Sequence, residues 1–302
     1  MTAPAPPPGP ATHPEPQPEP RPAALPDLDL LLPAARPVPL AEREVDLAAL
    51  YAHPAGLVRA NMVASVDGAA WGADHRSGTI NDAADFRVFR VLRALADVVV
   101  VGAGTARAEG YTPLERPAGL AHLAPRTADG SPAPLELALV SRTGAVPPAL
   151  ADADRPPLVV TGDAGAAAAR AALPADRVVV APSLEAGEVD LGAALAALAE
   201  RGLARVLTEG GPRLLASLLA AGLVDEVCLT TTARLEGPGA GRIVAGAAGG
   251  PAGRTRLGHL LADRATGTLL ARWVVDRGPD PGPDQGPDPA PEPRTAAGGQ
   301  AG

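Results

Sequence analysis

Four consecutive valines, Val98-Val99-Val100-Val101, constrain this chain more than any other feature. A strand with one wet face alternates apolar and polar residues, so an unbroken valine run predicts a strand covered on both faces. That strand is expected over Asp97–Val101. Similar runs at Leu57–Ala64, Leu135–Val140, Leu158–Thr161, Arg177–Ala181, Ala204–Thr208, Glu226–Thr232 and Thr268–Val275 also predict strands. Helices are expected over Asp82–Ala96, Asp163–Leu173, Leu191–Arg201 and Pro212–Ala221. Strand–helix–strand order through the middle argues for an α/β fold: a predominantly parallel central sheet with helices on both faces. The last two strands have no helix between them, which predicts an antiparallel edge at the C-terminal end.

Proline sets the limits of the folding unit. Of 36 prolines, eleven fall in residues 1–26 and seven in 278–302. Segments so rich in Pro, Gly, Asp and Glu bury too little apolar surface to offset chain entropy. Residues 1–39 and 278–302 are therefore expected to be disordered tails around a domain at 40–277. The tails carry most of the net charge of −8, which leaves a mildly acidic domain. All 26 basic residues are arginine, without a basic block, and six aromatic residues offer little for base stacking, so nucleic acid is not an expected partner. One cysteine, Cys228, excludes a disulfide framework and any multi-cysteine metal site. The five histidines show no ligand spacing, so no metal is expected. No apolar run reaches the ~18 residues of a membrane span and no signal peptide opens the chain, so a cytoplasmic location is expected.

In open α/β sheets, ligands bind beyond the carboxyl ends of the strands. Two places stand out there. Gly102-Ala103-Gly104-Thr105 follows the valine run, and its glycines admit close backbone approach. The full G-x-G-x-x-G fingerprint fails because Arg107 stands at the third glycine, and a plain strand-to-helix turn is an equal alternative. In Thr208-Glu209-Gly210-Gly211-Pro212-Arg213, proline suits a first helical turn, Gly222 suits a C-terminal cap, and the helix start suits an anion. Glu209 would repel a phosphate, so it either accepts hydrogen bonds from a neutral ligand group or caps the helix. Asp67, in Ser65-Val66-Asp67-Gly68, fits a ligand contact or ordinary turn chemistry. On the helix at 82–96, Asp85, Val88, Phe89, Leu92, Leu95 and Ala96 share one arc, with Arg87 and Arg90 outside it. Arg93 stands at its edge, where it must snorkel, pair or meet an anion.

Taken together, the motifs resemble a known family. Asn61-Met62-Val63-Ala64-Ser65-Val66-Asp67-Gly68, Ser77-Gly78-Thr79-Ile80, Leu92-Arg93-Ala94, Val101-Gly102-Ala103-Gly104-Thr105 and Thr208-Glu209-Gly210-Gly211-Pro212-Arg213-Leu214 are similar to motifs of the riboflavin-biosynthesis reductases, especially the standalone actinobacterial-type pyrimidine reductase-like proteins. The resemblance covers about 57–275. It implies a dihydrofolate-reductase-like fold, NADPH as hydride donor, a homodimer, and reduction of 5-amino-6-(5-phosphoribosylamino)uracil to its ribitylamino form. It further implies cofactor contacts at Val63, Thr79, Gly102, Gly104, Thr105, Glu109, Arg142, Gly210, Gly211, Pro212, Arg213 and Leu214. Substrate contacts are implied at Ser77, Arg93, Arg116 and Glu209, with Asp67 as the catalytic candidate.

The sequence departs from the family at two points. Ala69 stands where a basic residue is usual, and Glu109-Gly110-Tyr111 replaces the usual Asp-Asp-Pro. Both lie where substrate would be held, which leaves a pterin substrate as an alternative. A non-catalytic NADP-binding module is the other. A deaminase site of the His-x-Glu and Pro-Cys-x-x-Cys kind is impossible with one cysteine.

Overall fold

The computed structural model describes residues 24–184, 187–246 and 253–276. In chain order the elements are β1 (Leu28–Leu32), β2 (Arg36–Val38), α1 (Val45–Leu50), β3 (Val58–Ser65), α2 (Ala83–Leu95), β4 (Val98–Gly102) and α3 (Ala103–Glu109). They continue through β5 (Glu136–Val140), α4 (Pro148–Ala151), β6 (Leu158–Thr161), α5 (Asp163–Ala172), β7 (Val178–Val180) and α6 (Leu191–Glu200). The last are β8 (Val206–Thr208), α7 (Pro212–Ala220), β9 (Glu226–Thr232), β10 (Arg254–Ala262) and β11 (Leu269–Asp276).

All strands join one sheet in the order β2-β1-β10-β11-β9-β3-β8-β4-β5-β6-β7. From β9 to β7 every neighbouring pair is parallel, and from β9 to β2 every pair is antiparallel. The valine run behaves as its composition demands. Val99 and Val101 pack into one core with α1, α2, α3 and α5, while Val98 and Val100 pack into a second core with α6 and α7. This is the α/β architecture expected, with a dihydrofolate-reductase-like parallel sheet and an antiparallel edge.

Three findings differ from the sequence-based expectations. The antiparallel edge contains an additional strand, β10, between β11 and β1. The N-terminal tail does not extend to residue 39. β1 and β2 pair with each other and β1 with β10, burying Leu28, Leu30 and Val38. Arg87, expected outside the buried arc of α2, is 1% exposed and fixes this segment in place. Its guanidinium makes a two-bond ion pair with Glu44 at 2.8 and 2.7 Å and donates to the carbonyls of Pro26, Val38 and Pro39. Helical periodicity sees only a helix and a solvent side, and the N-terminal segment covers what would be the solvent side. The rest of the two expected tails, residues 1–23 and 278–302, lies outside the described residues, as does Arg277.

Candidate active site

Parallel pairing brings the carboxyl ends of β3, β8, β4 and β5 to one edge of the sheet, side by side. A cavity of about 110 Å³ opens there. Asn61, Met62 and Val63 of β3 form its floor, and Asp85 and Phe89, one turn apart on α2, form one wall. Thr105 and Glu109 of α3 with Tyr111 form another, and Glu209, Gly211 and Pro212 close it from β8 and α7. Ala70, Trp71, Ser77 and Asn81 complete the lining.

Local rules explain why these side chains meet. Asp82 caps α2, accepting from the backbone N–H groups of Ala84 and Asp85, both at 3.0 Å. Gly110 ends α3 with φ +75°, which returns the chain so that Tyr111 N–H reaches the Ala106 carbonyl at 2.8 Å. Pro212 occupies the first turn of α7 and Gly222, at φ +65°, follows its end. Gly102 and Gly210 join the two glycine segments directly: Gly102 N–H donates to the Gly210 carbonyl at 3.0 Å. At Gly211 a Cβ would overlap the Thr105 hydroxyl, so glycine is required there by Thr105. The N-terminus of α7, with N–H groups that lack helical partners, opens on the cavity beside that hydroxyl.

One charged cluster dominates the wall. Glu209 accepts from Arg93 through both oxygens at 2.7 Å and from the Tyr111 hydroxyl at 2.6 Å. The guanidinium of Arg93 also lies 4.0 Å from the Phe89 ring centre and 5.8 Å from that of Tyr111. Glu209 is therefore the acceptor at the centre of a pairing network, and Arg93 stands behind the cavity wall rather than in it.

Arg93 apart, the residues expected from the sequence fall into three groups. Val63, Ser77, Thr105, Glu109, Glu209, Gly211 and Pro212 line the cavity together, with Ser77 N–H donating to Glu109 at 3.0 Å. Gly102, Gly210, Arg213 and Leu214 adjoin them; Leu214 is buried in the core below, and Arg213 is exposed. The remaining five stand apart from the lining. Gly104 lies exposed on α3, and Arg142 lies exposed in the turn after β5. The Thr79 hydroxyl donates to Asp74 and to the Arg76 carbonyl. Arg116 donates to the carbonyls of Arg93, Ala94 and Ala96 at the end of α2 and to those of Ala133 and Pro134. Burial lowers its pKa to about 10.

Asp67 accepts from the Ser65 hydroxyl and from the backbone N–H groups of Glu236 and Gly237. Those bonds, the Ser65 hydroxyl first, hold its carboxyl below the usual carboxylate range. The segment it anchors returns to the cavity: Gly241 accepts from Ala70 N–H at 2.8 Å and lies against the Trp71 indole, where a Cβ would collide.

Asn61, Trp71, Asn81, Asp85, Phe89 and Tyr111 were not assigned from the sequence. Asp85 carried a usable signal, a carboxylate on the apolar arc of α2. Tyr111 carried another, as a rare aromatic at a point of departure from the family pattern. A larger cleft, about 610 Å³, lies at the opposite edge of the sheet, and none of the expected site residues lines it. Among the described residues no helix is long and apolar enough to cross a membrane, and no three His, Cys, Asp or Glu side chains cluster as a metal site.

Comparison with known proteins gives a consistent result. The sequence profile of the RibD C-terminal domain matches residues 57–264. A pyrimidine reductase-like protein from Corynebacterium diphtheriae superposes with a TM-score of 0.63 at 27% identity, over 74% of this chain and 93% of that one. A diaminohydroxyphosphoribosylaminopyrimidine deaminase/5-amino-6-(5-phosphoribosylamino)uracil reductase from Thermotoga maritima gives 0.50 at 18% identity, over 74% of this chain and 57% of that one. This chain therefore spans little more than half of that two-function protein. The riboflavin biosynthesis reductase of Saccharomyces cerevisiae gives 0.50 at 15% identity, over 74% and 90%. No curated protein matches the sequence.

Proposed function

The chain belongs to the RibD C-terminal domain family, and on that premise we propose that it is an NADPH-dependent reductase of riboflavin biosynthesis. Its substrate on this reading is 5-amino-6-(5-phosphoribosylamino)uracil, reduced to the ribitylamino form. One observation supports this most: the Gly102–Thr105 and Gly210–Pro212 segments and the Arg93–Glu209–Tyr111 cluster meet at one cavity on the carboxyl edge of parallel strands.

The residues present fit the cofactor. β3 and β5 are three strand spacings apart, about 14 Å, a distance an extended dinucleotide can cover. Gly211, Arg213 and Leu214 offer backbone N–H groups and the positive end of α7 to a diphosphate, with the Thr105 hydroxyl alongside. Val63 would support the nicotinamide on β3, and Arg142 after β5 would meet the 2′-phosphate end. When bound, NADPH supplies the hydride.

The chain's own residues orient the partner of that hydride and keep water out. Ser77 and Glu209 face the substrate side of the cavity, and Arg93 fixes Glu209 from behind. The Tyr111 hydroxyl, held by Glu209, keeps a proton at the wall. Asp67 acts through the 236–241 segment, which seats Gly241 on Trp71 and closes the cavity side. We further place the protein in the cytoplasm as a homodimer, with β1 and β2 added to the domain expected at 40–277.

A pterin substrate is the second reading. It is favoured by the lining itself, which among the described residues includes no arginine. Steady-state NADPH oxidation separates the two. Turnover of the phosphoribosylaminouracil is expected, and turnover of dihydrofolate alone would overturn the first reading.

A further inference from the structure

The larger cleft lies at the amino ends of β4 to β8, the edge of the sheet opposite the cavity. Four arginines from four separate segments line it. Arg126 comes from the turn bridged by Arg126 and Pro132, Arg177 precedes β7, Arg201 ends α6, and Arg205 leads into β8. Two of the acids there are committed. Glu136 pairs with Arg177 at 2.6 Å and with Arg155 at 3.9 Å. Asp97 accepts from the N–H groups of Ala204 and Arg205 at 3.1 and 2.7 Å and pairs with the Arg205 side chain.

The arginines are less fully used. A guanidinium has five N–H donors. Arg201 makes bonds to two carbonyls, one of them 3.5 Å long, and Arg126 only two long bonds of 3.3 and 3.5 Å. Arg205 uses Nε and Nη1, and Nε of Arg177 is buried without a partner. Guanidinium forks carried on four separate segments around one cleft can meet a tetrahedral dianion from more sides than one planar carboxylate offers. Pro125, Pro134, Leu158 and Leu203 add apolar wall for a carbon body.

We propose that this cleft is a second ligand site, distinct from the reductase cavity, that takes a small organic phosphate. Phenyl phosphate is a suitable probe, titrated calorimetrically into the full chain with saturating NADP⁺ present. Saturable binding is expected, at least tenfold weaker in Arg126→Gln/Arg201→Gln, with the unfolding temperature unchanged. Arg213→Gln, at the other edge, should leave it intact. Backbone amide shifts should follow the probe at Gly202 and Leu203 and stay still at Gly104, a readout that needs no variant. Absence of saturable binding, equal binding by the double variant, loss in Arg213→Gln, or shifts confined to Gly104 would each overturn the proposal.

Discussion

Glu209 is the most constrained side chain of the candidate site, because both its oxygens are committed to Arg93 and one also to Tyr111. A hydrogen bond to a charged group contributes about 1.5–3 kcal/mol. Tyr111→Phe should therefore lower stability by about 2 kcal/mol in urea unfolding. It should also lower kcat/KM about tenfold while NADPH affinity stays unchanged. Arg116 gives the opposite signature. Its donors close the carbonyl end of α2 and sit apart from the cavity. Arg116→Met is expected to cost about 2–3 kcal/mol of stability and leave KM for both substrates as in the parent. A raised KM without lost stability would instead place Arg116 at the substrate.

Elements were more legible in the sequence than their contacts. Apolar runs pointed to β3 to β9 and β11, and several of them, such as that of β4, are continuous because strands buried on both faces need no polar alternation. β10 escaped because it starts Arg254-Thr255-Arg256, exposed at the sheet's end, and its inward residues come only later. β1 and β2 escaped because prolines on either side masked Leu28 and Leu30, whose alternation was the available signal. At the site, Arg93 and Glu209 were each identified, yet their pairing joins positions 116 residues apart, which spacing along a chain cannot reveal.

Two histidines tie these elements to pH. Burial lowers His259 of β10 to about 4 and His53, just before β3, to about 3. Unfolding returns both toward the usual value near 6.5, so the unfolded chain binds more protons as pH falls through that range. Stability should be full above about pH 6.5 and fall by about 1.4 kcal/mol per pH unit for each histidine toward pH 4. Urea midpoints between pH 7 and 5 should show this, and His259→Asn should remove about half of the slope. A flat profile would mean that neither histidine is buried neutral.

At the scale of the whole molecule, the N-terminal segment belongs to the fold. β1 and β2 extend the sheet, and Arg87 and Glu44 fasten them beneath α2. Trimming the chain to 40–276 removes Leu28, Leu30 and Val38 from the core and takes carbonyl partners from a buried arginine. At about 1.5–3 kcal/mol per buried side chain, that variant should lose most of its stability or fail to accumulate. The two ends of the parallel strands then divide the work, with the cavity at the carboxyl edge and the arginine cleft at the amino edge. The central claim concerns the carboxyl edge, where Thr105 and Gly211 touch and a dinucleotide would cross the sheet. Calorimetric titration of the full chain with NADPH tests it most directly, alongside Gly211→Ala, whose added methyl must displace the Thr105 hydroxyl. Saturable one-site binding that weakens at least tenfold in the variant is the predicted result. Absence of binding, or equal affinity in both proteins, would contradict it.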